Sequence, residues 1–195
     1  MKKSKARTSL LARMAIMVAV TVLMSLIPTI PLLPSVNFIK YELSDLPILI
    51  SVFAFGTPAG FAVAALSILI NFLFGGAESG PYGMIMHMIA IGAYLIPAGL
   101  IYHTKKTRKS AIIGMLVGVL VSTAAMIPAN LIITPAFMGV PVAVVKPLLA
   151  TAIIPVNLMK GVITAVLTFV LYKHVSRILY KDFKADRSAT NQQNT

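Results

Sequence analysis

The stretch LSDLPILISVFAFGTPAGFAVAALSILINFLF, residues 43–74, decides the architecture. It reads either as one long broken span or as two short helices joined at Gly56-Thr57-Pro58. Glycine tolerates the backbone angles of a tight turn and proline suits the first turn of a helix, so the triplet can punctuate two helices. Charge chooses between the readings, because cytoplasmic loops of membrane proteins are enriched in Lys and Arg. One basic cluster precedes the stretch (Lys2, Lys3, Lys5, Arg7, Arg13), and two follow it (Lys105, Lys106, Arg108, Lys109; then Lys173, Arg177, Lys181, Lys184, Arg187). With two helices all three clusters fall on one side. A single span would carry the nine cations of the second and third clusters to the outside. The expectation is therefore an all-α membrane protein with six transmembrane helices and both termini cytoplasmic. It forms one integral membrane domain over 1–195, with helices at about 10–27, 43–55, 58–74, 81–102, 110–133 and 155–178 and a polar tail over 185–195.

Composition agrees with that class. Of the 195 residues 58% are hydrophobic and 11% charged, and mean hydropathy is +0.90, which describes a polytopic membrane protein rather than a soluble domain. At about 20 residues per span the length allows five to seven crossings. The net charge of +12 would suggest nucleic acid in a soluble protein, but here the cations lie between apolar runs and report topology. With no cysteine there is no disulfide framework, thiolate nucleophile or Cys-ligated metal to consider.

The basic N-terminus and the apolar run Met14 to Ile27 resemble a signal peptide, but Pro28-Thr29-Ile30-Pro31 stands where a small-residue cleavage site would be, so this is read as a retained first helix. Ala15 and Ala19 give it a small-xxx-small face, and Gly114 and Gly118 give the fifth helix another. Residues 28–44 form an external loop broken by three prolines, with a strand-like piece at Val36 to Glu42. Residues 134–154, with Pro135, Gly139, Pro141 and Pro147, are expected as a second external segment whose apolar middle can lie in the interface as a short helix. Pro155 then opens the sixth helix at its first turn.

This topology isolates a polar set. Once the cytoplasmic clusters are assigned, the cations left over are Lys40, Lys146 and Lys160, all in the outer half, where Glu42, Asp45 and Glu78 also lie. Asn130 on the fifth helix and Asn157 on the sixth join them. Asn157 and Lys160 are three residues apart and share a helix face. A lysine at bilayer depth costs roughly 2.5 to 3.5 kcal/mol by insertion measurements and marks a site; the plainer reading is that Lys160 snorkels to the head-groups. Two carboxamides can pair donor and acceptor with an imide-like edge, while Phe38, Tyr41, Tyr82, Met84, Met86 and His87 can cover a flat ring. Taken singly, each of these aromatics and methionines is better explained as helix packing; it is their convergence that points to a site.

These residues carry a resemblance. Lys40-Tyr41-Glu42-Leu43-Ser44-Asp45-Leu46-Pro47 after a proline-rich first loop, Gly56-Thr57-Pro58-Ala59-Gly60, Gly80-Pro81-Tyr82-Gly83, Pro128-Ala129-Asn130 and Pro155-Val156-Asn157-Leu158-Met159-Lys160-Gly161 together resemble the riboflavin-specific substrate-binding (S) components of energy-coupling factor (ECF) transporters. The likeness runs from the first helix to about Arg177. It implies a multi-pass protein of a bacterial cell membrane that captures riboflavin from outside with high affinity, with FMN or close analogues as alternatives. The partners it implies are a transmembrane coupling (T) protein and two ATPase subunits. By position, Asn130, Asn157 and Lys160 would hydrogen-bond the flavin. The first loop, with Phe38, Lys40, Tyr41, Glu42 and Asp45, would cover it, and Tyr82, Gly83, Met86 and His87 would complete the site. Ala15 and Ala19 would face the coupling protein.

The chain's omissions fit a binding subunit rather than an enzyme. There is no G-x-x-x-x-G-K-[ST] phosphate loop, so ATP hydrolysis would fall to a partner. No carboxylate lies in mid-helix, which weakens an ion-coupled carrier. His87, His103 and His174 lack metal-ligand spacing, so neither metal nor resident cofactor is expected. The competing readings are a stand-alone secondary carrier or facilitator and an S component for another vitamin.

Overall fold

Gly56 is where the central pair of helices turns. The computed structural model describes residues 2–27, 30–32, 40–74 and 79–171. Helix α2 (Asp45–Phe55) ends at Gly56, whose φ of 105° favours glycine, and α3 (Thr57–Leu73) begins on the next residue with Pro58 in its first turn. Residues 43–74 are thus two helices, as the charge pattern required. They lie so close that a Cβ on Gly60 would stand 2.9 Å from the Cα of Val52. In α2 every residue from Leu46 to Phe53 is buried, so the shortest of these helices is the central one.

The helices before and after this pair pack directly on it. Helix α1 (Lys2–Ser25) turns Met14, Met17 and Val18 towards the core and leaves Ala15, Ala19 and Leu23 exposed. Helix α4 (Gly80–Lys105) ends on the left-handed Lys106, and α5 (Arg108–Met138) starts at once with a capping box: Thr107 Oγ1 accepts from the Ser110 N–H at 3.1 Å and Ser110 Oγ accepts from the Thr107 N–H at 3.0 Å. Gly114 and Gly118 let α5 meet α4. A Cβ on Gly114 would stand 2.7 Å from the Ala98 carbonyl oxygen, and one on Gly118 would enter the Tyr94 ring. At the same end as the Gly56 turn, His103 Nε2 donates to the Val52 carbonyl at 2.9 Å, and Tyr102 meets Phe53 edge-on at 4.8 Å, locking α4 onto α2.

Two boundaries differ from the sequence reading. Helix α5 continues past residue 133 to Met138, and the sixth helix begins at Val142, not Pro155. The short helix allowed for in the middle of residues 134–154 is present at Val142–Leu148, but it runs on into the sixth helix instead of standing apart. Pro128 and Pro135 sit inside α5, where each removes one donor without ending the helix. The left-handed Gly139, with φ 66°, ends it, and the Val140 N–H closes the turn on the Pro135 carbonyl at 3.1 Å. The last helix, α6, spans Val142–Leu171 and passes through a π-helical turn at Leu149–Ile153 immediately before Pro155.

Among the described residues four helices are long and apolar enough to cross a membrane: Arg7–Ser25 within α1, then α4, α5 and α6; α2 and α3 are shorter apolar helices. Among the described residues the first loop contains a two-residue antiparallel pairing of β1 (Ile30–Pro31) with β2 (Lys40–Tyr41), while residues 36–39 of the strand-like stretch lie outside them. Residues 172–195, which include the expected end of the sixth helix and the polar tail, lie outside the described residues.

Candidate functional site

Because consecutive helices alternate in direction, the N-termini of α2, α4 and α6 gather with the C-termini of α1, α3 and α5 at one end. The basic turn Lys105–Lys109 lies at the other. Between the gathered ends is a cavity of about 350 Å³, within the usual size range of small-molecule sites.

Two carboxamides enter it from facing helices. Asn130 on α5 is only 2% exposed; its Nδ2 donates to the Met126 carbonyl at 2.7 Å and its Oδ1 accepts from Thr134 Oγ1 at 2.9 Å. Those bonds fix the amide plane and leave one N–H and one lone pair free for a partner. Asn157 on α6 donates to the Ile153 carbonyl at 2.8 Å, which leaves its second N–H and its oxygen without a partner among the described residues. Lys160, one turn further on, also lines the cavity and forms no ion pair or hydrogen bond among the described residues, though it lies within electrostatic reach of Asp45 and His87.

The mouth is ionic. His87 Nε2 is 2.8 Å from Asp45 Oδ1, and Nδ1 of the same ring is 3.9 Å from Glu42 Oε2, which accepts from Ser44 Oγ at 3.2 Å. The segment leading from β2 into α2 is thereby held to α4. Tyr82 of α4 and Phe137 of α5 face each other at 6.0 Å beside the opening, and Gly83, Met84 and Met86 line the α4 wall.

Of the residues singled out from sequence, Asn130, Asn157, Lys160, Glu42, Asp45, Tyr82, Gly83, Met84, Met86 and His87 all line this one cavity. Tyr41 does not: it is buried behind the wall, where its phenol oxygen accepts from Thr164 Oγ1 at 3.3 Å, and burial pushes its pKa above the usual phenol value. The side chain of Lys40 and all of Phe38 lie outside the described residues. Sequence reasoning missed Asn71 of α3, Ser122 of α5 and Thr164 of α6, which also line the cavity. An amide within an apolar helix was a readable signal in Asn71. Ser122, bonded to the Ala90 carbonyl at 2.7 Å, looked like any helix serine.

The arrangement offers hydrogen-bond donors and acceptors on two sides, one lysine, an ionic cluster of Glu42, Asp45 and His87, and aromatic and thioether walls. It suits a flat polar ring.

Comparison with known proteins places the chain. The model of the family described as "ECF transporter, substrate-specific component" matches residues 9–172. The Riboflavin transporter RibU of Staphylococcus aureus is 28% identical over 77% of this chain and 80% of its own length. RibU of Streptococcus thermophilus is 29% identical over 89% of this chain and 86% of its own, and Riboflavin transporter FmnP of Bacillus subtilis is 27% identical over 70% and 77%. Among solved structures, the S component of a bacterial ECF transporter superposes with a TM-score of 0.77 at 28% identity, over 89% of this chain and 98% of its own. With its helices arranged as in that S component and the family model spanning almost all of the described residues, the chain belongs to the substrate-specific components of ECF transporters.

Proposed function

We propose that this chain is the riboflavin-capturing subunit of an ATP-driven ECF importer in a bacterial cell membrane. The observation that carries the reading is the convergence of Asn130 and Asn157, each with one side already bonded and the other free, on a single cavity that also holds Lys160. An isoalloxazine ring presents an imide edge that alternates acceptors and a donor, and two oriented carboxamides plus an ammonium complement that edge. The names of the relatives support the same ligand.

The proposal includes six spans, α2 and α3 among them, with both termini cytoplasmic. On that topology the cavity opens outward, because it lies at the end opposite the basic α4–α5 turn. ATP hydrolysis falls to two partner ATPases acting through a transmembrane coupling protein. Ala15 and Ala19, both exposed on α1, supply a shallow surface for that protein.

The direct test is the visible absorption spectrum of the protein purified from cells grown with riboflavin. Flavin absorbance that co-elutes with the protein is the expected result. Colourless protein that takes up no flavin on incubation would contradict the reading, and a stoichiometrically bound compound of another class would reassign the vitamin.

A further inference from the structure

The π-helical turn in α6 sets which face of that helix looks into the cavity. Upstream of it the line of buried or half-buried residues runs Val145, Leu148/Leu149, Ala152; downstream it runs Val156, Lys160, Thr164, Thr168. Extended by regular α-helical steps of about 3.6 residues, the first line would still touch Val156 but would then pass through Met159, Ile163 and Val166/Leu167 rather than Lys160, Thr164 and Thr168. The exposed line shows the same break: Ala143, Pro147 and Ala150/Thr151 project onto Leu158, Gly161 and Ala165, yet the exposed residues are Met159, Val162 and Val166. Both faces therefore jump by one residue across Leu149–Ile153, where the Ile154 N–H reaches back to the Leu149 carbonyl, five residues earlier. One residue is about 100° of helix rotation. The cause is local: in a regular helix the ring of Pro155 would press on the carbonyl of Thr151, and a wide turn just before it removes that conflict.

We infer that the π turn is a register element for the binding site: it takes up one extra residue, so that Asn157, Lys160 and Thr164 face the cavity while Val145 and Ala152 keep their packing. In an unbroken α-helix of this sequence, Met159 would occupy the place of Lys160. The ligand named below rests on the riboflavin reading, but the rotation itself can be measured without any ligand.

The experiment changes residue number inside the turn, at Thr151, which is exposed and does not line the cavity. One variant inserts an alanine after Thr151. The other deletes Thr151 together with Pro155→Ala, which gives a regular helix with both flanks in their present orientation. Each is also made with Met159→Cys, the chain's one cysteine, and labelled from outside with a membrane-impermeant maleimide. For the insertion, which rotates the lower helix by about 100°, riboflavin affinity should fall at least about 100-fold. The Met159→Cys thiol, facing lipid and unreactive in the parent, should then become labelled. For the deletion, affinity should stay within about threefold and that thiol should stay unlabelled, since no rotation results. An insertion variant that binds within threefold of the parent, or a folded deletion variant that loses binding or exposes the thiol, would overturn the inference. Should the insertion variant not elute as a single species, the deletion variant decides alone by the same two readouts. A parent that binds no riboflavin would count against the ligand, while the labelling contrast still tests the register.

Discussion

His87 Nε2 and Asp45 Oδ1 stand 2.8 Å apart, so that a residue on the first turns of α4 is bonded to the first residue of α2 across the cavity mouth. Glu42 lies on the other side of the same imidazole, and Lys160 faces the group from α6. This clasp holds the β2–α2 segment in place, and a hydrogen bond to a charged group contributes roughly 1.5 to 3 kcal/mol. His87→Ala and Asp45→Asn should each speed riboflavin dissociation about tenfold or more, and the double variant should be no faster than the worse single one, because both remove one interaction. Stopped-flow fluorescence of flavin release measures this. Additive effects would mean that the two side chains act separately.

The amide and the ammonium on α6 should matter to the ligand more than to the fold. Asn157→Ala and Lys160→Ala are each expected to weaken riboflavin binding by roughly 1 to 3 kcal/mol, the cost of leaving a buried partner unpaired. Thermal stability of the ligand-free protein should change little in both. Asn130→Ala differs, because Asn130 also accepts from Thr134 and donates to the Met126 carbonyl, so it should lower affinity and melting temperature together. Titration and thermal unfolding of the same preparations separate the cases.

Helix α5 is pressed against α4 through glycine. Gly118→Val would drive a branched side chain into the Tyr94 ring, and overpacking of this kind costs roughly 1 to 3 kcal/mol. A clear drop in the detergent melting temperature is expected, larger than for Gly139→Ala, where no atom lies within 4 Å and only the positive φ opposes the change. Equal melting temperatures for the two variants would mean that the helices separate easily there.

Ala15 and Ala19 face outward while Met14, Met17 and Val18 pack on the core. Ala15→Trp or Ala19→Trp should therefore abolish uptake in cells yet leave riboflavin binding to the isolated protein intact. Loss of both functions in one variant would place that face inside the protein, and loss of neither would move the coupling surface elsewhere.

Much of this was legible because it is written in side-chain chemistry. Gly56-Thr57-Pro58 announced two helices, Gly114 and Gly118 announced close packing, and amides and a lysine in apolar helices announced a site; with the carboxylates, aromatics and methionines gathered around them, ten of the residues singled out line one cavity. What stayed hidden depends on backbone continuity. Pro155 was read as a helix start, since proline is favoured there. A proline accommodated within a helix by a π turn leaves no periodicity to find, because the one-residue jump erases the regular repeat. Pro135 concealed the continuation of α5 in the same way. Tyr41 showed the limit of residue type as a guide, for an aromatic beside a site can stand behind its wall.

The account is tested most directly by titrating riboflavin into the ligand-free purified protein and following the quenching of flavin fluorescence, with thiamin and folate as controls. The predicted result is saturable one-to-one binding of riboflavin, weakened at least about fivefold by Asn157→Ala and by Lys160→Ala, with no displacement by either control. Absence of riboflavin binding, or binding unchanged in both variants, would contradict it.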